Sequence, residues 1–274
     1  MTFSIVARSA DGQSWGVAVA SKFLAVGSVV PAAVAGIGAI ATQADANVSY
    51  KGLALAHLDE GATAEVALQR LLDEDDGRDH RQVGIVDLDG GAATYTGASC
   101  FDWAGGVTDN DVAIQGNILT GQEVVEAMKA SWDSTIEEPD LARRLLSALA
   151  AGDQAGGDGR GRQSAALLVV REGAGYGGGD DVAVDLRVDD HEQPCRELER
   201  LLDLNHLYLT ASTDAEKVAI DEELQRELDD RARRLGHPDF TAWVGTENFE
   251  MRVGKPEDDP WIDEKILRIL RHRT

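Results

Sequence analysis

The chain has 274 residues, 43% of them hydrophobic and 27% charged, the profile of a folded globular protein rather than a disordered one. Its net charge of −23, with 49 acidic residues and only six lysines, repels phosphate backbones and anionic lipid and argues against a nucleic-acid or membrane-surface binder. No apolar run reaches the roughly 20 residues of a membrane helix: the candidate stretch 26–41 is short, rich in Gly and Ala, and broken by Pro31.

Taken in chain order, "FSIVAR" and "SWGVAVAS" read as strands joined by a turn at "SADGQ", with "AVGSVVP" and "GIGAIATQ" as a third and fourth. Small residues (Gly16, Ala18, Ala20) alternate with Val17 and Val19, which suits a strand packed on both faces, and such a sheet needs a layer on either side. Two helices follow, "YKGLALAHLDEG" and "TAEVALQRLLDEDD", the second with Thr63 as its N-cap. Strands return at "HRQVGIVDLDG", "AATYTGAS", a short piece near Trp103, and "DVAIQGNIL". A second helical pair comes next, "GQEVVEAMKASWDS" and "DLARRLLSALAAG". After the glycine-rich "GDQAGGDGRGRQ" come "SAALLVVRE" and "AVDLRVDD". The order ββββ, αα, ββββ, αα, ββ predicts an α+β protein, a four-layer αββα sandwich with two sheets face to face and helix pairs outside. From about Gln193 the pattern turns to long amphipathic helices with many i,i+4 charge pairs, so the expected division is a sandwich domain over 1–194 and a small, mainly helical domain over 195–274.

The residue that draws chemical attention first is Thr2. Removal of Met1 would leave its hydroxyl beside its own α-amine, whose pKa of about 7.7–8.0 lets it take the hydroxyl proton without a histidine. The first hairpin carries Ser21 and Lys22 toward Thr2, and a lysine ammonium there would lower the amine's pKa further. Asn117, closing a strand after Gln115 and Gly116, is a candidate oxyanion donor, a role worth about 2.7–4 kcal/mol in kcat. The loop "GGDGRGRQS" presents Arg160 and Arg162 on a flexible backbone suited to gripping a carboxylate, and it lacks the Gly-Lys-Ser/Thr ending of a phosphate-binding loop. His80 and His191 show no metal-ligand spacing. Cys100 and Cys195 lie far apart and predict reduced thiols, Cys100 without a flanking histidine to activate it.

The blocks "MTFSIVAR", "GVAVASKFLAVGSVVP", "AGIGAIATQ", "GRDHRQVGIVD", "QGNIL", "GGDGRGRQSAALLVV" and "VDLRVDDH", in this order, resemble the family called domain of unknown function 1028 over nearly all of residues 1–195. The resemblance implies the αββα fold of the N-terminal nucleophile hydrolases. Under it Thr2 matches the nucleophile position and Ser21 and Lys22 the end of the second strand. Thr42 and Gln43 match the family's "ATQ" block, Arg81 and Gln82 its "RQ" block, and Gly116 and Asn117 its "GN" block. Asp158, Arg162, Gln163 and Ser164 match its glycine-rich block. The pattern departs from the proteasome-type threonine hydrolases, since Ser21 stands where they carry an aspartate and no lysine occurs between Lys22 and Lys51. The tail from about Leu198, with "WVGTENFEMR", resembles a small peptidoglycan-binding-type domain often appended to this family.

The expectation is an amidohydrolase that uses Thr2 on a small-molecule amide, with a carboxylate of the substrate held by Arg162 or Arg81. No cofactor, metal, nucleic acid or membrane partner is expected, and a homo-oligomer is left open. The competing reading is a non-catalytic binding or scaffold protein on the same fold. The N-terminus lacks a basic region followed by an apolar block, so the default expectation is a cytoplasmic protein. The acid excess with few lysines points to a halophilic source, because self-repulsion at this charge density is relieved when salt shortens the Debye length to about 3 Å at 1 M.

Overall fold

The computed structural model describes residues 2–254 and 260–274, so Met1, whose removal the Thr2 chemistry requires, lies outside the described residues. The first two apolar blocks form β1 (Thr2–Arg8) and β2 (Ser14–Ser21), an antiparallel hairpin turned at Gly12, whose φ of 68° suits glycine. The third block behaves differently from its sequence pattern. "AVGSVVP" forms a 3₁₀ turn over Val26–Ser28, and β3 (Pro31–Val34) begins only at the proline. Ala25 has a left-handed φ of 52°, the Val26 amide donates to the Ser164 hydroxyl, and Gly27 packs so closely on Ala166 that a Cβ there would collide. Val26 and Val30 are buried all the same, so the apolar run that reads as a strand fills the core from a turn.

The remaining elements are β4 (Gly38–Ala44), α1 (Ser49–Asp59), α2 (Ala64–Asp73), β5 (Arg81–Asp87), β6 (Ala92–Thr96), β7 (Gly105–Asp109), β8 (Val112–Asn117), α3 (Glu123–Ser134), α4 (Leu141–Gln154), β9 (Ser164–Arg171), β10 (Val182–Val188) and α5 (Pro194–Leu209). Thr63 caps α2, accepting the Val66 amide at 3.3 Å. The strands build two antiparallel sheets, one in the order β10-β9-β2-β1-β8-β7 and one in the order β3-β4-β5-β6. Alternation along β1 separates two cores. Phe3, Ile5 and Ala7 face Met128, Leu145 and Leu149 of α3 and α4, whereas Val6 joins Val17, Val19, Ala39, Ala41 and Val86, drawn from both sheets. Ile40, Val83 and Ile85 of the smaller sheet turn instead to Tyr50, Ala54, Leu68 and Leu71 of α1 and α2.

By its internal contacts the chain divides between Leu202 and Asp203, within α5, rather than at 194/195. The second unit, Asp203–Thr274, holds β11 (Lys217–Ala219) paired with β12 (Trp261–Asp263), and α6 (Glu222–Arg234), α7 (Phe240–Glu247) and α8 (Glu264–Arg273). Leu228, Trp243, Phe249, Ile262, Ile266 and Leu270 form its core. A buried pair, Arg252 with Asp263 at 2.9 Å, is completed by the Ser212 hydroxyl on the same carboxylate. Among the described residues no helix is long and apolar enough to cross a membrane.

Candidate functional site

Antiparallel pairing brings strand termini from both sheets to one end of the first unit. Thr2 pairs in register with Asn117, Phe3 with Ala20, Gln43 with Gln82, and Ser21 with Ser164. The Thr2 hydroxyl lies 3.1 Å from that of Ser21, and both residues are buried. The Thr2 carbonyl accepts from two side-chain amides, Gln43 Nε2 at 3.3 Å and Asn117 Nδ2 at 3.4 Å.

These two amides belong to a larger buried cradle. Gln43 Nε2 and Asn117 Nδ2 each also donate to Gln82 Oε1 at 2.8 Å, and Gln82 Nε2 passes on to the Gly116 carbonyl at 2.7 Å. Gln115 Nε2 donates to the Ser4 hydroxyl at 2.6 Å, which donates to Gln43 Oε1 at 2.7 Å. Four amide side chains from β4, β5 and β8 thus satisfy one another around the start of β1, with no ionised group among them. Gln115 fits because Gly84 opposes it: a Cβ at position 84 would stand 2.1 Å from Gln115 Oε1. Just beyond the cradle, Ala44, the last residue of β4, and Ile118, the first residue after β8, both carry positive φ, 69° and 51°, so the chain turns sharply at each strand end.

This geometry reassigns several expected roles. Asn117 spends both side-chain amide protons, on Gln82 and on the Thr2 carbonyl, so it holds the Thr2 backbone. The Lys22 ammonium is exposed and donates to the Arg162 carbonyl at 3.2 Å, while the Lys22 amide donates to Asp158 at 2.7 Å. Asp158 is buried and also receives the Arg160 amide and guanidinium, so it organises its own loop. Arg162 is engaged by Asp153 at 2.7 Å, a contact that raises its already high pKa. Arg81 is engaged by Asp75 at 2.9 Å and Asp45 at 3.1 Å. The Arg81 hydrogen bond, with help from Tyr50, Gly77 and Asn47, holds the Asp75 carboxyl well below the usual range against the opposing effect of burial. Both guanidiniums are thus held by carboxylates of this chain, Arg81 largely buried and Arg162 with its side chain about half exposed.

Thr42 is fully buried and donates to the Asn47 carbonyl at 3.3 Å, and Ser164 is fully buried and holds Phe23 and Val26. Gln163 reaches outward to Asp190 at 3.1 Å. A narrow recess of ≈ 10 Å³, the room of a single water, opens beside Ser21 among Phe3, Asp158, Arg162 and Ser164. Burial pushes the thiols of Cys100 and Cys195 up, away from nucleophilic thiolates. Among the described residues no three His, Cys, Asp or Glu side chains gather as a metal set would require.

Sequence reasoning passes over Ser4, mentions Gln115 only as a neighbour of Asn117, and reaches Gln82 only through the family's "RQ" block. The signal available is a polar residue at an inward position of an otherwise apolar strand, in "FSIVAR", "RQVGIVD" and "VAIQGN".

Residues 2–198 match the model described as "Family of unknown function (DUF1028)", and residues 208–270 match one described as "Putative peptidoglycan binding domain". Among curated proteins none matches the chain. A solved crystal structure of a protein from Silicibacter pomeroyi, itself described as a member of the DUF1028 family, is similar at 32% identity with a TM-score of 0.67, covering 78% of this chain and 90% of that one. With the family model matching from the first residue of β1 into α5, the chain belongs to the DUF1028 family.

Proposed function

We propose that the first unit is an N-terminal nucleophile hydrolase on an αββα sandwich, and that Thr2, uncovered by removal of Met1, is its nucleophile. The observation that carries this reading is the placement of Thr2. Its hydroxyl stands at the head of a central strand against a second hydroxyl, and its carbonyl is clamped by two amides that do nothing else for the chemistry. A buried, uncharged cradle of this kind fixes the terminal residue without adding a carboxylate that would raise the pKa of the neighbouring amine.

In the proposed reaction the free Thr2 amine takes the hydroxyl proton as Oγ1 attacks the amide carbonyl. The tetrahedral adduct collapses, the C–N bond breaks, and the ammonium returns the proton to the departing amine. Water, deprotonated by the same amine, then cleaves the acyl ester and restores Thr2. Ser21 is placed to hydrogen-bond Oγ1 throughout. The oxyanion falls to backbone N–H groups, because the Asn117 amide is committed elsewhere.

Intact-mass analysis of native protein, followed by exposure to activated amides and esters, tests the reading. The expected result is a chain lacking Met1 that gains one acyl group on its N-terminal peptide, with Thr2→Ala gaining none. A retained Met1 would bury the amine in a peptide bond and leave only a binding or scaffold role. For the second unit the matched family model supports affinity for peptidoglycan. Co-sedimentation of the full chain with insoluble peptidoglycan is the expected outcome, and no enrichment in the pellet would remove that assignment.

A further inference from the structure

The strand ends around Thr2 carry an uneven mixture of side chains. The arginines are engaged with carboxylates, Arg162 with Asp153, Arg160 with Asp158, Arg81 with Asp75 and Asp45, while the exposed Lys22 ammonium donates to the Arg162 carbonyl. The large apolar side chains are not so engaged. Phe23 and Leu24, two and three residues beyond Ser21, are 51% and 61% exposed, and Phe101 is 74% exposed, more than any other large apolar residue described.

Their positions bracket the nucleophile. Within the six-stranded sheet, β1 has β2 on one side and β8 on the other. On the β2 side the Phe23 carbonyl is fixed by the Ser164 hydroxyl, and Ser164 is the register partner of Ser21. On the β8 side the Phe101 carbonyl accepts the Ile118 amide at 2.9 Å, one residue past Asn117. Both loops are therefore pinned by backbone contacts next to the strand neighbours of Thr2 while their Phe23, Leu24 and Phe101 side chains stay in water, an arrangement that costs solvation free energy unless something apolar covers them.

The geometry points to a substrate whose acyl portion is apolar, a medium-chain aliphatic or aromatic amide, received between the Phe23–Leu24 and Phe101 loops rather than gripped through a carboxylate. This specificity rests on the proposed Thr2 chemistry for the position of the scissile bond. The ligand surface itself stands on exposure and register alone.

Two measurements on the full chain separate the claims. Binding is read by calorimetry in the Thr2→Ala protein with hexanamide and with succinamic acid. Hexanamide is expected to bind at least tenfold tighter, and the added pair Phe23→Ser and Phe101→Ser is expected to abolish that preference while thermal melting confirms the fold. Acylation is read by mass in the parent protein with p-nitrophenyl hexanoate and with the mono-p-nitrophenyl ester of succinate, the hexanoyl transfer expected to be faster by a similar factor. Hexanamide binding without acylation would overturn the hydrolase reading and leave the apolar site standing. Equal or tighter binding of the succinyl compound, directed by the exposed Lys22 ammonium, would overturn the apolar site, as would no binding of hexanamide or a preference that survives the double substitution.

Discussion

At the scale of single residues, Gln82 and Thr2 separate stability from chemistry. Gln82 Oε1 is the shared acceptor for Gln43 and Asn117, and all three side chains are buried. Gln82→Leu orphans two amide donors, and at about 1–3 kcal/mol for each the expected loss is about 2–6 kcal/mol in urea denaturation. Thr2→Ala removes one hydroxyl at the rim of the cradle and is expected to change stability by about 1 kcal/mol or less while abolishing acylation. Thr2 draws attention in the sequence because position two has a chemistry of its own, and the structure places it, buried, beside Ser21. The cradle was not, because Gln43, Gln82 and Asn117 meet only through pairings spanning 35 to 115 residues, and a glutamine in a strand reads equally as a solvent-facing side chain. The ion pairs of Arg81 and Arg162 were illegible for the same reason: nothing in the local sequence shows which carboxylate, Asp75 or Asp153, the fold places beside each guanidinium.

At the scale of elements, Gly84 of one sheet leaves the room that Gln115 of the other fills. Gly84→Ala drives a methyl into the Gln115 amide and is expected to cost about 1–3 kcal/mol, with the displacement seen as faster hydrogen exchange in β5 and β8. The Asp75 carboxylate ties α1, through Tyr50, to the start of β5, through Arg81. Its pKa is lower folded than unfolded, so the stabilisation is present above the ordinary value of 3.8 and is lost as pH falls toward the folded value. Urea titrations should therefore show Asp75→Asn less stable than the parent at pH 7, with the gap narrowing below about pH 4. Strand and helix blocks are readable from period and caps, as with Thr63 at α2. The 3₁₀ turn at Val26–Ser28 is not, since its apolar residues are buried like those of a strand and only the left-handed Ala25 breaks the run.

For the molecule as a whole, a net charge of −23 works against compactness through self-repulsion that mobile ions screen. The melting temperature is expected to climb as KCl is raised from 0.1 M past 1 M, and a flat or falling curve in calorimetry would count against adaptation to salt. The centre of the first unit stands apart from this dependence. Glutamine, asparagine, serine and threonine neither gain nor lose a proton across the ordinary range, so the support beneath Thr2 is electrically silent. Acid or alkali will loosen the outer carboxylate clasps while the support keeps its form. Under the proposed chemistry, a pH titration of Thr2 acylation is expected to follow the terminal amine, since the residues cradling Thr2 add no ionisation of their own.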